Sequence, residues 1–219
     1  MPWGHRPSLP PRVAIIQREL DRFERPRYLE IGVHSGTVLL NLRAHNRLGV
    51  DPHKRIKRRQ LAVRPFLWRA MTFVEKTSDT FFAKLDPAAR FDVIFIDGYH
   101  SYDQALRDVN NSLLHLAPQG VVMLHDCNPH SAAAASPDPA SVPSRERGDG
   151  WCGDVWKAIV HLRATRADLR VEVLDTDFGI GRVRREPAEL LAIDPRRIAT
   201  LDYSDLANDR EGLLGLRPV

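Results

Sequence analysis

Long apolar runs are missing from this 219-residue sequence, and with them the roughly 20-residue stretch that a helix needs to cross a bilayer. Cysteine is scarce: only Cys127 and Cys152 occur, which excludes a disulfide framework and fits a reducing compartment. The first residues, Met1-Pro2-Trp3-Gly4-His5-Arg6, lack the apolar core of a secretory signal. A cytoplasmic protein with no membrane association is therefore expected. Aromatic residues are also few, at 7%, and do not alternate with the basic ones as on a stacking platform for single strands. Nucleic acid is thus not the expected partner.

What remains is an ordinary globular composition, 43% hydrophobic and 27% charged. The length suits one sizeable core and is short for two domains, so a single domain over residues 1–219 is expected. The formal charge is +4, and much of the excess lies between His53 and Arg69. Lys54, Arg55, Lys57, Arg58, Arg59, Arg64 and Arg69 follow one another there without an acid. Such a run is first of all a solvated face, and secondly an attractor for an anionic substrate or partner.

Hydrophobic periodicity sets the order of elements. Val13, Ile16, Leu20 and Phe23 recur at helical spacing, so a helix is predicted over 11–25. Arg27 to Ile31 is a strand ending at Gly32, followed by a predicted helix from Thr37 to His45. Leu48 to Val50 is a second strand, stopped by Asp51-Pro52, and Met71 to Glu75 a third. Phe91-Asp92-Val93-Ile94-Phe95-Ile96 reads as a strand buried on both faces. A helix from Tyr102 to Leu116 and a strand from Val121 to Leu124 come next.

Residues 128–150 are rich in Ala, Pro, Ser and Gly, without periodicity, and read as a mobile loop or lid. Asp154 is placed as the cap of a helix to Thr165, and two strands, Arg170 to Leu174 and Gly179 to Arg184, close a hairpin. The predicted fold is α/β: a doubly wound, mostly parallel seven-stranded sheet with one antiparallel strand. Its ligand crevice lies at the carboxyl ends of the strands.

Gly32 and Gly36 bracket the first strand-to-helix turn, where glycine permits a sharp bend and close approach of a ligand. The G-x-x-x-G spacing is neither the dinucleotide fingerprint nor a phosphate loop, and no lysine follows Gly36. Asp51 ends the second strand about 20 residues past Glu30, where a carboxylate can accept both hydroxyls of a ribose.

Several motifs in series resemble those of class I S-adenosylmethionine (SAM)-dependent methyltransferases. They are Glu30-x-Gly32-x-x-x-Gly36, Gly49-Val50-Asp51-Pro52, Thr77-Ser78-Asp79, Phe95-Ile96-Asp97-Gly98-x-His100-x-Tyr102 and Leu124-His125-Asp126. More narrowly they resemble the small-molecule and sugar O-methyltransferases of the macrolide-sugar and cephamycin pathways. The resemblance implies a Rossmann-like fold and SAM as cofactor. It sets Glu30, Gly32, His34, Ser35 and Gly36 along the cofactor turn, Asp51 on the ribose, and Ser78 and Asp79 near the adenine. Asp97 then stands at the reaction centre, and the implied partner is a small hydroxylated acceptor, anionic or glycosylated, in a biosynthetic pathway. A homo-oligomer stays open.

Transfer to a hydroxyl needs a way to remove its proton. Asp97, His100, His125 and Asp126 all follow strand ends and are expected to converge. Two solutions stay open. Asp97, His125 and Asp126 could hold Mg²⁺ or another divalent cation, the imidazole suiting Mn, Fe or Zn better than Mg. Alternatively Asp97, His100 and His125 do the catalytic work, with a histidine as base. Two further readings compete, an RNA methyltransferase using the basic run and a catalytically silent SAM-binding module. Gly150-Trp151-Cys152-Gly153-Asp154-Val155-Trp156-Lys157 looks like a recurrent element without an assignable chemistry.

Overall fold

The structure is a computed structural model that describes residues 9–57, 71–142 and 150–219. Its sheet runs β1 (Arg27–Ile31), β2 (Asn46–Val50), β3 (Met71–Val74), β4 (Phe91–Ile96), β5 (Leu116–Leu124), β6 (Arg170–Leu174), β7 (Ile180–Arg184) and β8 (Leu216–Arg217). In space the order is β3-β2-β1-β4-β5-β7-β6-β8. β7 pairs antiparallel with both β5 and β6, and every other pairing is parallel. The one reversed strand agrees with the sequence reading. The eighth strand does not: β8 has two residues, too short to leave a period-2 signal.

β4 shows why the sheet can sit centrally. All six of its residues are buried, with Ile94 and Ile96 packing in one cluster and Val93 and Phe95 in the other. Helices α3 (Tyr102–Leu114) and α4 (Trp156–Thr165) cover the first face through Val109, Leu113 and Ile159. Helix α1 (Pro11–Leu20) covers the other through Val13, Ile16 and Leu20. The remaining helices among the described residues are short: α2 (Ser78–Phe82), α5 (Tyr203–Asn208) and α6 (Arg210–Leu214). Among the described residues no helix is long and apolar enough to cross a membrane.

Three local expectations are corrected. No helix forms over Thr37 to His45; Thr37 to Asn41 make turns instead. The buried guanidinium of Arg47 donates to the carbonyls of Leu39 (3.0 Å) and Leu42 (3.1 Å), and Asn41 Nδ2 donates to the Thr37 carbonyl. Carbonyls spent on side chains cannot continue a helical ladder. α1 ends at Leu20 rather than Arg25, with Asp21 as its C-terminal cap. Asp154 does not cap α4; its carboxylate accepts from Tyr102 N (2.7 Å) at the start of α3.

The 128–150 loop is described up to residue 142. Ala134, Ala135 and Val142 are buried there, and the Ala134 carbonyl accepts from the backbone of Cys152 and Gly153. Of the basic run, Arg58, Arg59, Arg64 and Arg69 lie outside the described residues.

Candidate active site

The sheet itself brings the site together. Beyond the strand ends the backbone ladder runs on by one residue: Gly32 N donates to Val50 O (2.8 Å), Asp97 N to Ile31 O (2.8 Å) and His125 N to Ile96 O (3.0 Å). Residues scattered over the sequence therefore stand side by side. β1 and β4 are neighbours although β2 and β3 intervene in sequence, so the crevice opens at the switch point of the strand order. Gly32 has φ +83°, and a Cβ on it would lie 1.9 Å from the Asp97 carbonyl oxygen. Only glycine lets these two turns touch.

A cleft of about 820 Å³ fills this crevice, a size suited to a small-molecule or cofactor ligand. Glu30, Gly32, His34, Ser35 and Asp51 line one end, and Ser78 and Asp79 belong to the same cavity. Gly36 stands behind the turn, against Ile56 and Leu40. Asp51 is oriented by two backbone donors, His34 N on Oδ2 (2.8 Å) and His53 N on Oδ1 (2.7 Å). Each oxygen keeps a lone pair for a ligand. Ser78 and Asp79 open α2, and both accept from Gln104 Nε2 (3.2 and 3.3 Å).

Glu30 is buried and accepts from the Tyr28 hydroxyl at 2.7 Å. Burial pushes its carboxyl up to about 8, against the opposing hydrogen bond from Tyr28. Unfolding releases this acid to its ordinary range, so its contribution to stability is fully present below about pH 4.5 and is lost as pH rises towards 8. Glu30→Gln, which cannot ionise, should therefore flatten the pH dependence of the melting temperature of the metal-free protein and raise it at pH 8. Parallel melting curves for both proteins between pH 5 and 8 would remove this account of Glu30.

At the other end lies a polar cluster. Asp97, His100 and Asp126 offer ligand atoms all within 4.8 Å of one another. His100 Nε2 is 3.2 Å from Asp126 Oδ2 and 3.7 Å from Asp97 Oδ1. Asp126 adopts φ +60°, an uncommon conformation for a non-glycine residue, and such strain concentrates at functional sites.

His125 stands as close to the two carboxylates as His100 does. Its Nδ1 is 3.1 Å from Asp126 Oδ2 and 3.6 Å from Asp97 Oδ1, and its Nε2 is 3.4 Å from Asp177 Oδ1. Burial opposes its charge, but hydrogen bonds to Asp126, Asp177 and Asp97 outweigh burial and push the imidazole up to about 11. Its Nε2 also lies 3.3 Å from Arg12 Nη1, so that nitrogen faces a cation as well as an acid. The same two histidines hold Asp97 well below the usual carboxylate range against its own burial.

Two residues of the cluster carry no motif in the sequence. Asp177, in the β6–β7 turn at φ +51°, receives Arg12 N (2.9 Å) and Arg12 Nη1 (2.7 Å) from α1. Arg12 also lines the cleft. A turn with two consecutive left-handed residues, Asp177 and Phe178, is the one local signal that could have drawn attention.

Comparison with known proteins agrees with this geometry. Residues 29–127 match the family model of a methyltransferase domain. The fold is similar to that of an O-methyltransferase from Bacillus cereus in complex with SAH, at 16% identity and TM-score 0.61, covering 83% of each chain. It is also similar to the O-methyltransferase TomG from Streptomyces achromogenes, in complex with SAM, at 17% identity and TM-score 0.60 over 82% of this chain and 83% of that one. Cofactor-bound Rv0187 from MTB gives TM-score 0.63 at 13% identity, with 84% of each chain covered. No curated protein matches the sequence. The chain has the Rossmann-like fold of these methyltransferases.

Proposed function

We propose that this protein is a SAM-dependent O-methyltransferase acting on a hydroxyl of a small biosynthetic intermediate, with a divalent cation at the acceptor. One observation carries the reading. A single cleft joins a nucleoside-holding end, Gly32 with the braced carboxylate Asp51, to an end where Asp97, His100 and Asp126 converge. SAH and SAM are the ligands named for the Bacillus and Streptomyces proteins of like fold respectively, and TomG is involved in tomaymycin synthesis.

The donor set suits an ion. In an octahedral site with bonds of about 2.1 Å, neighbouring ligand atoms stand about 3 Å apart. The 3.2 Å and 3.7 Å separations around His100 Nε2 are close to that edge. When bound, such a cation lowers the pKa of an acceptor hydroxyl and fixes its direction. The protein's own residues do the rest. Gly32 admits the donor close to the backbone, Asp51 holds its ribose, and Ser78 and Asp79 border its base. Asp97 and Asp126 anchor the acceptor end, while His125, paired with Asp177, offsets their charge. In-line transfer from a sulfonium asks chiefly for this alignment.

Titration calorimetry with SAM and SAH tests the cofactor half. Asp51→Ala should weaken both at least about tenfold, since a hydrogen bond to a charged group is worth roughly 1.5–3 kcal/mol. Equal affinity in the variant and the parent would overturn the assignment of Asp51. A screen of hydroxylated acceptors with labelled SAM tests the other half.

A further inference from the structure

The segment 150–157, which the sequence set apart without a chemistry, lies against His100. The His100 ring stacks on the Trp151 indole with centroids 5.0 Å apart and planes 25° from parallel. His100 Nδ1 is 3.0 Å from the Trp151 carbonyl oxygen, and a carbonyl can only accept, so Nδ1 carries a proton. Trp151 is itself fixed, its Nε1 donating to the Ser136 carbonyl at 2.7 Å. Gly153, at φ +64°, lets the segment press on the His100 backbone: a Cβ there would stand 1.9 Å from the His100 carbonyl oxygen. Asp154 then holds the other side of the turn through Tyr102 N.

We propose that residues 150–157 are the positioning element of the ion site. Through the Trp151 carbonyl and indole they hold His100 with its proton on Nδ1 and its Nε2 facing Asp97 and Asp126. The site so built has two carboxylates and one imidazole, which suits a divalent transition ion of the manganese class over magnesium. A hydrogen bond from the far nitrogen of a ligating histidine fixes its tautomer and ring plane, and removing such a partner typically costs ten- to hundredfold in metal affinity. This inference rests on the divalent-ion reading above and adds to it a specific holder and a preference.

The test is metal binding by the full chain, free of substrate, with Mn²⁺ followed by electron paramagnetic resonance and Mg²⁺ by competition. The parent should bind Mn²⁺ at least about tenfold more tightly than Mg²⁺. Trp151→Ala keeps the carbonyl but removes the stacked indole and its anchor on Ser136, and should lose up to about tenfold in Mn²⁺ affinity and part of that preference, while Trp151→Phe, which keeps a ring on the imidazole, should recover most of both. Far-ultraviolet circular dichroism reports whether the variants fold. A second measurement needs no variant: in the diamagnetic Zn²⁺ complex, ¹H–¹⁵N spectra should place the His100 proton on Nδ1. A proton on Nε2, or folded Trp151→Ala with the parent's Mn²⁺ affinity and preference, overturns the positioning role alone. A parent that binds no Mn²⁺ overturns the ion reading together with it.

Discussion

Excess EDTA is expected to slow methyl transfer by the purified protein at least about a hundredfold, and added Mn²⁺ to restore it. The expectation follows from the charges around the acceptor end. Asp97 and Asp126 approach the same nitrogen of His100, and His125 Nδ1 lies 3.6 and 3.1 Å from the same two carboxylates. Two carboxylates that converge on one point repel each other, and a cation between them removes that penalty. A cation contributes several kcal/mol of charge stabilisation without accepting a proton, and about 3 kcal/mol corresponds to a factor of more than a hundred in rate. Asp126→Ala should reproduce the loss in the presence of metal, because it removes a ligand and the group that His100 and His125 share. Full turnover in EDTA, together with loss on His100→Ala, would instead give the proton to His100.

Gly32→Ala is expected to destabilise the fold by about 3 kcal/mol and to abolish measurable cofactor binding. Two costs add. A left-handed conformation costs an L-residue roughly 1–2 kcal/mol, and overpacking a filled site roughly 1–3. Here the added Cβ meets backbone, with Asp97 O at 1.9 Å and Gly98 Cα at 2.7 Å, so no side-chain rotation relieves it. The β1 and β4 turns must separate, which displaces Asp97 from the cluster. For a chain of this size the melting temperature should fall by roughly 6–12 °C. Gly36→Ala is the internal comparison. It has a similar φ of +79°, but its Cβ would meet the side-chain tips of Ile56 and Leu40 at 3.1 Å, which can shift. Equal losses in the two variants would show that φ alone, and not the contact with Asp97, decides the effect.

The sequence made legible those features whose cause is local. β4 announces itself because five of its six buried residues are apolar, and the turn after β1 because glycine marks it, although the contact that demands Gly32 comes from Asp97. The failures have long-range causes. The absent helix after Gly36 depends on Arg47 reaching back to two carbonyls, a contact no propensity encodes. Asp154 looked like the cap of its own helix but serves α3, 52 residues away in sequence. In the site, strand ends gave Asp97, His100, His125 and Asp126, whereas Arg12 and Asp177 lie 165 residues apart and meet only in the fold. His100 and His125 were equivalent in sequence. Both face Asp97 and Asp126, and the far nitrogen separates them: it meets a backbone carbonyl in His100 and Asp177 in His125.

That meeting of Arg12 with Asp177 has a consequence for how the protein comes into being. The first helix and the last hairpin of the sheet close on the same imidazole, His125, from opposite ends of the chain. During synthesis the cofactor turn, β4 and β5 can all be in place while Asp177 is still unmade. Until it arrives, His125 lacks one of its three neighbouring carboxylates and Arg12 lacks its ion-pair partner. Contacts so distant in sequence form late because their loops are costly to close. The His125 end of the cleft is thus a record of completeness: only the finished hairpin sets Asp177 beside that ring.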